Sequence, residues 1–105
     1  MFEKENRYVI AVDLDNTLTN GEPFWKGVEV TPHIEHIEII RNLYFKGCII
    51  IIHTARLWEW SCETVGWLIK NKVPFHGIMM GKCGGDFYCD DKNCSFEDLK
   101  KILGK

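Results

Sequence analysis

Two segments of the chain are dense in apolar and β-branched residues, as expected of β-strands. One covers residues 8–14 and ends in acidic residues; the other, residues 48–53, holds four consecutive isoleucines. A continuous apolar run of this kind is typical of a strand buried on both faces of a parallel sheet. Residues 77–80 and 86–89 are weaker strand candidates.

Between these segments, apolar residues recur at the spacing of an α-helix. The first helix is predicted to begin at Thr31 as N-cap, with Pro32 in the first helical position, where its missing N–H costs nothing. It ends at Gly47, and its apolar positions are Ile34, Ile37, Ile40 and Tyr44. A second helix is predicted over residues 57–71 and a third from Ser95.

The predicted order is β-α-β-α-β-β-α in one domain of residues 1–105, because no repeat or linker interrupts the chain. This alternation predicts a three-layer α/β domain with a mainly parallel sheet. In such sheets ligands bind at the carboxyl ends of the strands, so the residues that follow each strand are the first candidates for chemistry.

Charge and composition narrow the class of protein. The chain has 13 Lys and Arg residues against 15 Asp and Glu residues, and its net charge of −2 disfavours general nucleic-acid binding. Its apolar runs are far shorter than the roughly 20 residues of a membrane span, and its first residues do not resemble a secretory signal. These features predict a cytoplasmic protein that does not enter a membrane.

The five cysteines form an odd count without a regular framework, which predicts reduced thiols. Cys83, Cys89 and Cys94 lie close together late in the chain. Their spacing lacks the CxxC knuckle of zinc sites, so small buried side chains are favoured over a zinc site.

Polar residues suited to a metal ion and a phosphoryl group follow the predicted strands. They are Asp13, Asp15 and Asn16 after the first strand, Thr54 and Arg56 after the second, and Lys82, Asp90 and Asp91 further on. Mg²⁺ prefers a few carboxylate oxygens and keeps waters that a substrate phosphate can replace. Hydroxyl and ammonium groups can donate to the non-bridging phosphate oxygens.

The same residues resemble the signatures of the haloacid dehalogenase (HAD) superfamily, in the family's order. Residues 13–18, Asp-Leu-Asp-Asn-Thr-Leu, are similar to its first signature. The second, third and fourth signatures are matched by Thr54, Lys82 and the pair Asp90–Asp91. The resemblance covers nearly the whole chain, and residues 81–92 also resemble small bacterial phosphatases encoded with capsular-polysaccharide genes.

This resemblance implies a Rossmann-like (HAD-like) fold and a Mg²⁺-dependent phosphomonoester hydrolase. Asp13 would attack phosphorus and form an aspartyl-phosphate, and Asp15 would act as general acid and base. Thr54 and Lys82 would contact phosphoryl oxygens, with Lys82 also pairing with Asp13. Asn16 is a further candidate substrate contact.

The implied metal ligands are two early and two late aspartates. The carboxylate of Asp13 and the backbone carbonyl of Asp15 would bind Mg²⁺ together with the Asp90–Asp91 pair. Asp91 is the preferred direct ligand, although Asp90 could take that place. Arg56 would either steer an anionic part of the substrate or form a salt bridge at the helix start.

The chain looks capless, because residues 20–30 provide only a short flap and residues 56–81 are filled by one helix and its turns. An open site calls for a bulky substrate or a lid from a neighbouring subunit. Phe24 and Trp25 in the flap would either line the substrate entrance or fill the edge of a small core.

The second predicted helix offers a candidate oligomer contact. Its sheet-facing stripe is predicted to consist of Trp58, Cys62, Val65 and Ile69. Trp60 and Trp67 would then face outwards, as a contact in a homo-oligomer or a platform for substrate. The alternative is that the helix starts after Trp60 and that Trp60 covers a loop.

A phosphorylated sugar is the first substrate choice, on the family likeness. A nucleotide or a nucleic-acid 3′-phosphate is the alternative, which the acidic balance disfavours. The rivals from another class are a non-catalytic phosphoryl-binding module and a signalling receiver domain. A receiver places its acidic pair first in the chain, whereas here the acidic pair comes last.

Overall fold

The computed structural model describes residues 8–81, 100–101 and 103–104. Its strands are β1 (Val9–Val12), β2 (Ile49–His53) and β3 (Gly77–Met79). Its two helices within residues 8–81 are α1 (Ile34–Phe45) and α2 (Ser61–Lys70), with single 3₁₀ turns at Phe24–Lys26 and Trp58–Trp60. Lys100, Lys101 and Leu103 are also helical.

The three strands form a parallel sheet in the order β1-β2-β3. Val12 pairs with Ile52, and Ile52 pairs with Ile78, so the carboxyl ends of all three strands meet at one edge. The predictions of an α/β fold and a parallel sheet are therefore confirmed. The predicted strand at 86–89 and the predicted start of the last helix at Ser95 lie outside the described residues.

The core lies against one face of this sheet. It joins alternate residues of β1 and β2 to the inner sides of both helices: Ile10, Val12, Ile50, Ile52, Ile37, Ile40, Leu43 and Leu68. Parallel strands joined in sequence order by right-handed crossovers carry their helices on the same face. Arg41 of α1 accordingly donates to the carbonyl oxygens of Lys72 (3.2 Å) and Asn71 (3.5 Å), just beyond α2.

The opposite face of the sheet is more open within the described part of the chain. Val9 and Ala11 are exposed, and Ile49 and Ile51 are only half-buried. The described residues thus build two layers, one sheet and one pair of helices.

Helix α1 begins later than predicted. His33, not Thr31, is the N-cap residue, and its ring Nδ1 accepts from the N–H of His36 at 3.3 Å. The oxygens of Thr31 are engaged elsewhere, because its carbonyl accepts from the N–H of Asn20 at 3.0 Å and its hydroxyl hydrogen-bonds the carboxylate of Glu22. Thr31 therefore closes a loop instead of starting a helix.

The predicted inner face of the second helix is wrong. The buried residues of α2 are Thr64 and Leu68, while Trp58, Cys62 and Ile69 are exposed. The physical reason is a buried hydrogen bond: the hydroxyl of Thr64 accepts from Arg56 at 3.1 Å, which turns a polar position inwards.

Trp60 and Trp67 consequently do not form an outward platform. Trp67 packs against the core, and its indole N–H donates to the carbonyl of Val30 at 2.8 Å. Trp60 ends the 3₁₀ turn before α2 and lies edge-on to Phe24, with ring centroids 5.1 Å apart. The alternative reading, in which the helix starts after Trp60 and Trp60 covers a loop, is the one observed.

Neither α1 nor α2, nor the helical residues near the C-terminus that the structure describes, is long and apolar enough to cross a membrane.

The burial of α1 can be tested with one substitution at two positions. Ile40 is fully buried and Ile34 is 60% exposed on the same helix. We expect Ile40→Ala to lower the free energy of unfolding by about 2–5 kcal/mol, because it leaves a cavity in the core. Ile34→Ala should change it by no more than about 0.5 kcal/mol. Urea unfolding followed by circular dichroism measures both, and equal losses would contradict the assigned core.

Candidate active site

The loop after β1 is wound tightly around one carbonyl group. The oxygen of Leu14 accepts from the N–H groups of Thr17 (3.2 Å), Leu18 (2.8 Å) and Thr19 (3.0 Å). Asn16 has a positive φ of 62°, a left-handed conformation that Asn tolerates better than most residues. This winding turns the chain sharply just after Asp15.

Thr19 and Gly21 close the loop. The buried hydroxyl oxygen of Thr19 accepts from the backbone N–H of Asn16 at 3.3 Å and from that of Gly21 at 3.0 Å. Gly21 has a φ of +87°, and a Cβ at this position would overlap the side-chain oxygen of Asn16. A larger residue here would adopt a strained backbone conformation and displace the side chain of Asn16, which lies against its own loop.

The loop is also attached to the start of α1. Nδ1 of His36 lies 2.7 Å from the carbonyl oxygen of Thr17, and the N–H of His33 donates to Leu18 at 2.8 Å. The two imidazole rings are stacked with centroids 3.6 Å apart. Asp13 and Asp15 are therefore carried on a segment held at both its strand and its helix side.

The loop after β2 is held in a similar way. The N–H of Thr54 donates to Met79 of β3 at 2.9 Å, and the N–H of Gly81 donates to the carbonyl of Arg56 at 2.7 Å. Thr54 is buried, and its hydroxyl oxygen accepts from the N–H of Arg56 at 3.1 Å. The hydroxyl proton of Thr54 can therefore be donated to another group.

A partly buried ion pair joins the two loops. Arg56 binds the carboxylate of Asp15 in a bidentate way, with Nε 2.9 Å from Oδ2 and Nη2 2.7 Å from Oδ1. The side chain of Arg56 is 4% exposed and that of Asp15 is 29% exposed. The third guanidinium nitrogen donates to Thr64, and the ring of Phe24 lies 3.9 Å from the guanidinium carbon. Of the two roles predicted for Arg56, substrate steering and a salt bridge, the structure shows a salt bridge. It is formed with Asp15 and not at the helix start.

The structure brings together five of the predicted site residues at the carboxyl edge of the sheet: Asp13, Asp15, Asn16, Thr54 and Arg56. Lys82, Asp90 and Asp91 lie outside the described residues, as do Cys83, Cys89 and Cys94. Within residues 8–81 and the described C-terminal residues, no group of three or more His, Cys, Asp or Glu side chains could hold a metal ion.

The flap between the β1 loop and α1 is pinned at its base. The side-chain amide of Asn20 donates to the hydroxyl of Thr31 at 2.8 Å, and Glu22 accepts from the N–H of Thr31 at 3.1 Å. The hydrogen bond from the Thr31 hydroxyl, helped by backbone N–H groups, holds the pKa of Glu22 below its ordinary value of 4.5. The flap then leads through Phe24 to Val30, which Trp67 anchors to α2.

Sequence reasoning missed two residues that shape the site: Thr19, which closes the β1 loop, and Thr64, which accepts a hydrogen bond from Arg56. Phe24, predicted either to line the substrate entrance or to fill the edge of the core, lies against the guanidinium of Arg56. Thr19 stands beside the acidic signature, so its position was a usable signal. No sequence signal pointed to Thr64, because a lone threonine in a helix is usually solvated.

Comparison with solved structures shows a likeness along most of the chain. The chain is similar to a target protein from Vibrio cholerae solved by crystallography, with a TM-score of 0.66 and 28% identity over 92% of this chain and 97% of that one. A scan against protein-family models found no match, and a search of the curated proteins found none. The likeness supports the α/β fold seen in the described part of the chain.

The hydrogen bond between Glu22 and Thr31 predicts a pH dependence at the flap. Because the pKa of Glu22 is lowered in the folded state, its contribution to stability is present above the ordinary pKa of 4.5 and is lost as pH falls through the lowered value. Thr31→Val should move the pKa of Glu22 up towards 4.5, whereas Thr31→Ser should keep it low. NMR titration of the Glu22 carboxyl carbon distinguishes these results, and identical titrations in both variants would contradict the assignment.

Proposed function

We propose that this chain is a Mg²⁺-dependent phosphomonoester hydrolase of the HAD type that works through an aspartyl-phosphate. One observation carries the proposal. Asp13 and Asp15 come directly after β1, Thr54 comes directly after the neighbouring strand β2, and Arg56 holds Asp15 at this edge of the sheet. Parallel strands lie about 4.8 Å apart, so side chains at these adjacent ends can reach a single phosphoryl group.

The chain's own residues can carry both halves of the reaction. A carboxylate oxygen of Asp13 attacks phosphorus, the bond to the leaving oxygen breaks, and that oxygen takes a proton from Asp15. In the second half Asp15 takes a proton from water, whose oxygen attacks phosphorus and releases the Asp13 carboxylate and inorganic phosphate. The buried hydroxyl of Thr54 donates to a phosphoryl oxygen.

The donors at this edge fit Mg²⁺ in chemical type, since carboxylate and carbonyl oxygens are its usual protein ligands. Asp13 and the carbonyl of Asp15 would hold it, together with Asp90 and Asp91 from outside the described residues. The ion would supply positive charge against the phosphoryl oxygens. Lys82, also outside the described residues, would add a second positive charge.

The same proposal includes a three-layer architecture without a cap domain. A three-layer, Rossmann-like domain would have a further layer on the open side of the sheet, where Val9 and Ala11 are exposed. The domain is capless in this proposal. Only a 3₁₀ turn lies between the β1 loop and α1, and only a 3₁₀ turn and α2 lie between β2 and β3.

A cytoplasmic location accompanies this function. The described cysteines, Cys48 and Cys62, are free thiols, which suits a reducing compartment. If the protein forms a homo-oligomer, the subunits contact each other through surfaces other than Trp60 and Trp67, because both of these side chains pack within the chain.

The flap favours a substrate whose leaving group contains a ring. Trp25 is 60% exposed, and its ring stands edge-on to Phe24 with centroids 5.0 Å apart. Phe24 lies against the guanidinium of Arg56, which binds Asp15, so a short series of contacts links Trp25 to the acid that would protonate the leaving oxygen. A sugar ring can pack on this indole, which supports a sugar phosphate; a nucleobase could also stack there, which keeps a nucleotide or 3′-phosphate as the second candidate.

The reaction itself is tested by p-nitrophenyl phosphate hydrolysis in the presence of Mg²⁺. We expect Asp13→Asn to reduce kcat by at least about 10³-fold, because the nucleophile is lost. Glu35→Gln on the exposed side of α1 is the charge-matched control and should retain full activity. Chelation with EDTA should abolish turnover, and added Mg²⁺ should restore it. If the wild-type protein shows no turnover with p-nitrophenyl phosphate or with a panel of phosphomonoesters, the chain is a non-catalytic phosphoryl-binding or receiver-like module.

The role of Trp25 is tested by comparing leaving groups. Trp25→Ala should raise KM about 10-fold for a sugar phosphate or nucleotide, since each lost stacking contact is worth about 1–3 kcal/mol. It should leave KM for a small acyclic phosphomonoester such as glycerol phosphate unchanged. Phe45→Ala, which removes an exposed aromatic side chain from the far end of α1, is the control. An equal change in KM for both substrate types would contradict the stacking role.

A further inference from the structure

Arg56 is the best-held charged side chain among the described residues. Its guanidinium group is fixed from three sides: two nitrogens bind Asp15, the third donates to Thr64 at 3.1 Å, and the ring of Phe24 lies 3.9 Å from its central carbon. Its backbone is held too, by the hydroxyl of Thr54 and the N–H of Gly81. A planar group held at this many points has little freedom to turn towards a ligand.

Burial separates the two partners of this ion pair. The side chain of Arg56 is 4% exposed, whereas that of Asp15 is 29% exposed. Asp15 is therefore the partner that solvent or a ligand can reach, and Arg56 is the buried one. Within residues 8–81, the recorded acidic partner of this buried guanidinium is Asp15.

We propose that Arg56 is a positioning residue for Asp15 and does not bind the substrate's phosphate. This inference rests on the proposed function, because it assigns Asp15 the role of general acid. Asp15 sits next to Asn16, in a loop that turns through a left-handed residue, and a side chain of this type has several staggered rotamers in general. The fork of Arg56 holds the Asp15 carboxyl group in one orientation, and it compensates the carboxylate that forms when the proton passes to the leaving oxygen.

This role predicts a dependence on the leaving group. An alkyl alkoxide must be protonated as it departs, whereas p-nitrophenolate leaves readily without a proton. The parameter kcat/KM reports steps up to the first irreversible one, here the release of the leaving group, so the later base role of Asp15 does not enter. Misplacing the acid should therefore lower kcat/KM for an alkyl phosphate far more than for p-nitrophenyl phosphate.

The main variant is Arg56→Lys, which keeps the positive charge and removes the planar fork. We expect it to lower kcat/KM about 10²-fold for glycerol phosphate and less than about 5-fold for p-nitrophenyl phosphate. Thr64→Val keeps the side-chain volume and removes one hydrogen-bond partner of Arg56. It should also lower kcat/KM more for glycerol phosphate than for p-nitrophenyl phosphate, but by a smaller factor than Arg56→Lys. It also provides the test if Arg56→Lys does not fold.

The matched control is Arg41→Lys, which changes an arginine that donates to backbone carbonyls beside α2. It should alter neither substrate's kinetics. Equal losses of kcat/KM for both substrates in Arg56→Lys and Thr64→Val would overturn the positioning role. A raised KM with unchanged kcat would also overturn it, in favour of direct phosphate binding by Arg56. Failure of the wild-type protein to hydrolyse either substrate would instead overturn the proposed function and this inference with it.

Discussion

The ion pair between Asp15 and Arg56 is the interaction on which the arrangement of the site depends. It joins residues 41 positions apart in the chain, one after β1 and the other after β2. Because the guanidinium is buried, neither partner can be withdrawn without leaving an uncompensated charge or an unsatisfied donor. The pair therefore sets how the two loops face each other at the carboxyl edge of the sheet, and it also determines which side of α2 faces inwards through Thr64.

The sheet could be predicted well because its signal is local. The isoleucine run of β2 and the apolar run of β1 identify strands whatever surrounds them, and the helix-length segments between them require parallel pairing. The starts of the helices were less predictable. Thr31 has the chemistry of an N-cap, but a distant carboxylate and a distant amide occupy its oxygens, and no rule of spacing reveals such partners.

The face of α2 shows why helical periodicity can fail. Counting apolar residues favoured the stripe from Trp58 to Ile69, yet the buried side includes Thr64 because Arg56 lies beneath it. Tryptophan added a second difficulty, since the indole N–H of Trp67 needs a partner and finds the carbonyl of Val30 inside the fold. The position of Asp13, Asp15 and Thr54 at the carboxyl edge of the sheet was predictable from the strand order, whereas the choice between the two roles of Arg56 depended on tertiary contacts.

The pinned base of the flap has a consequence for how this fold could be elaborated. Asn20 and Thr31 are hydrogen-bonded at the point where the flap leaves and re-enters the body, so the two ends of the segment are already together. Lengthening a loop whose ends are fixed adds only a slowly growing entropic cost. A longer segment, or a small folded unit, inserted near Gly27 at the tip would therefore leave the acidic loop undisturbed, and the molecule provides an attachment point at which a specificity module could be acquired.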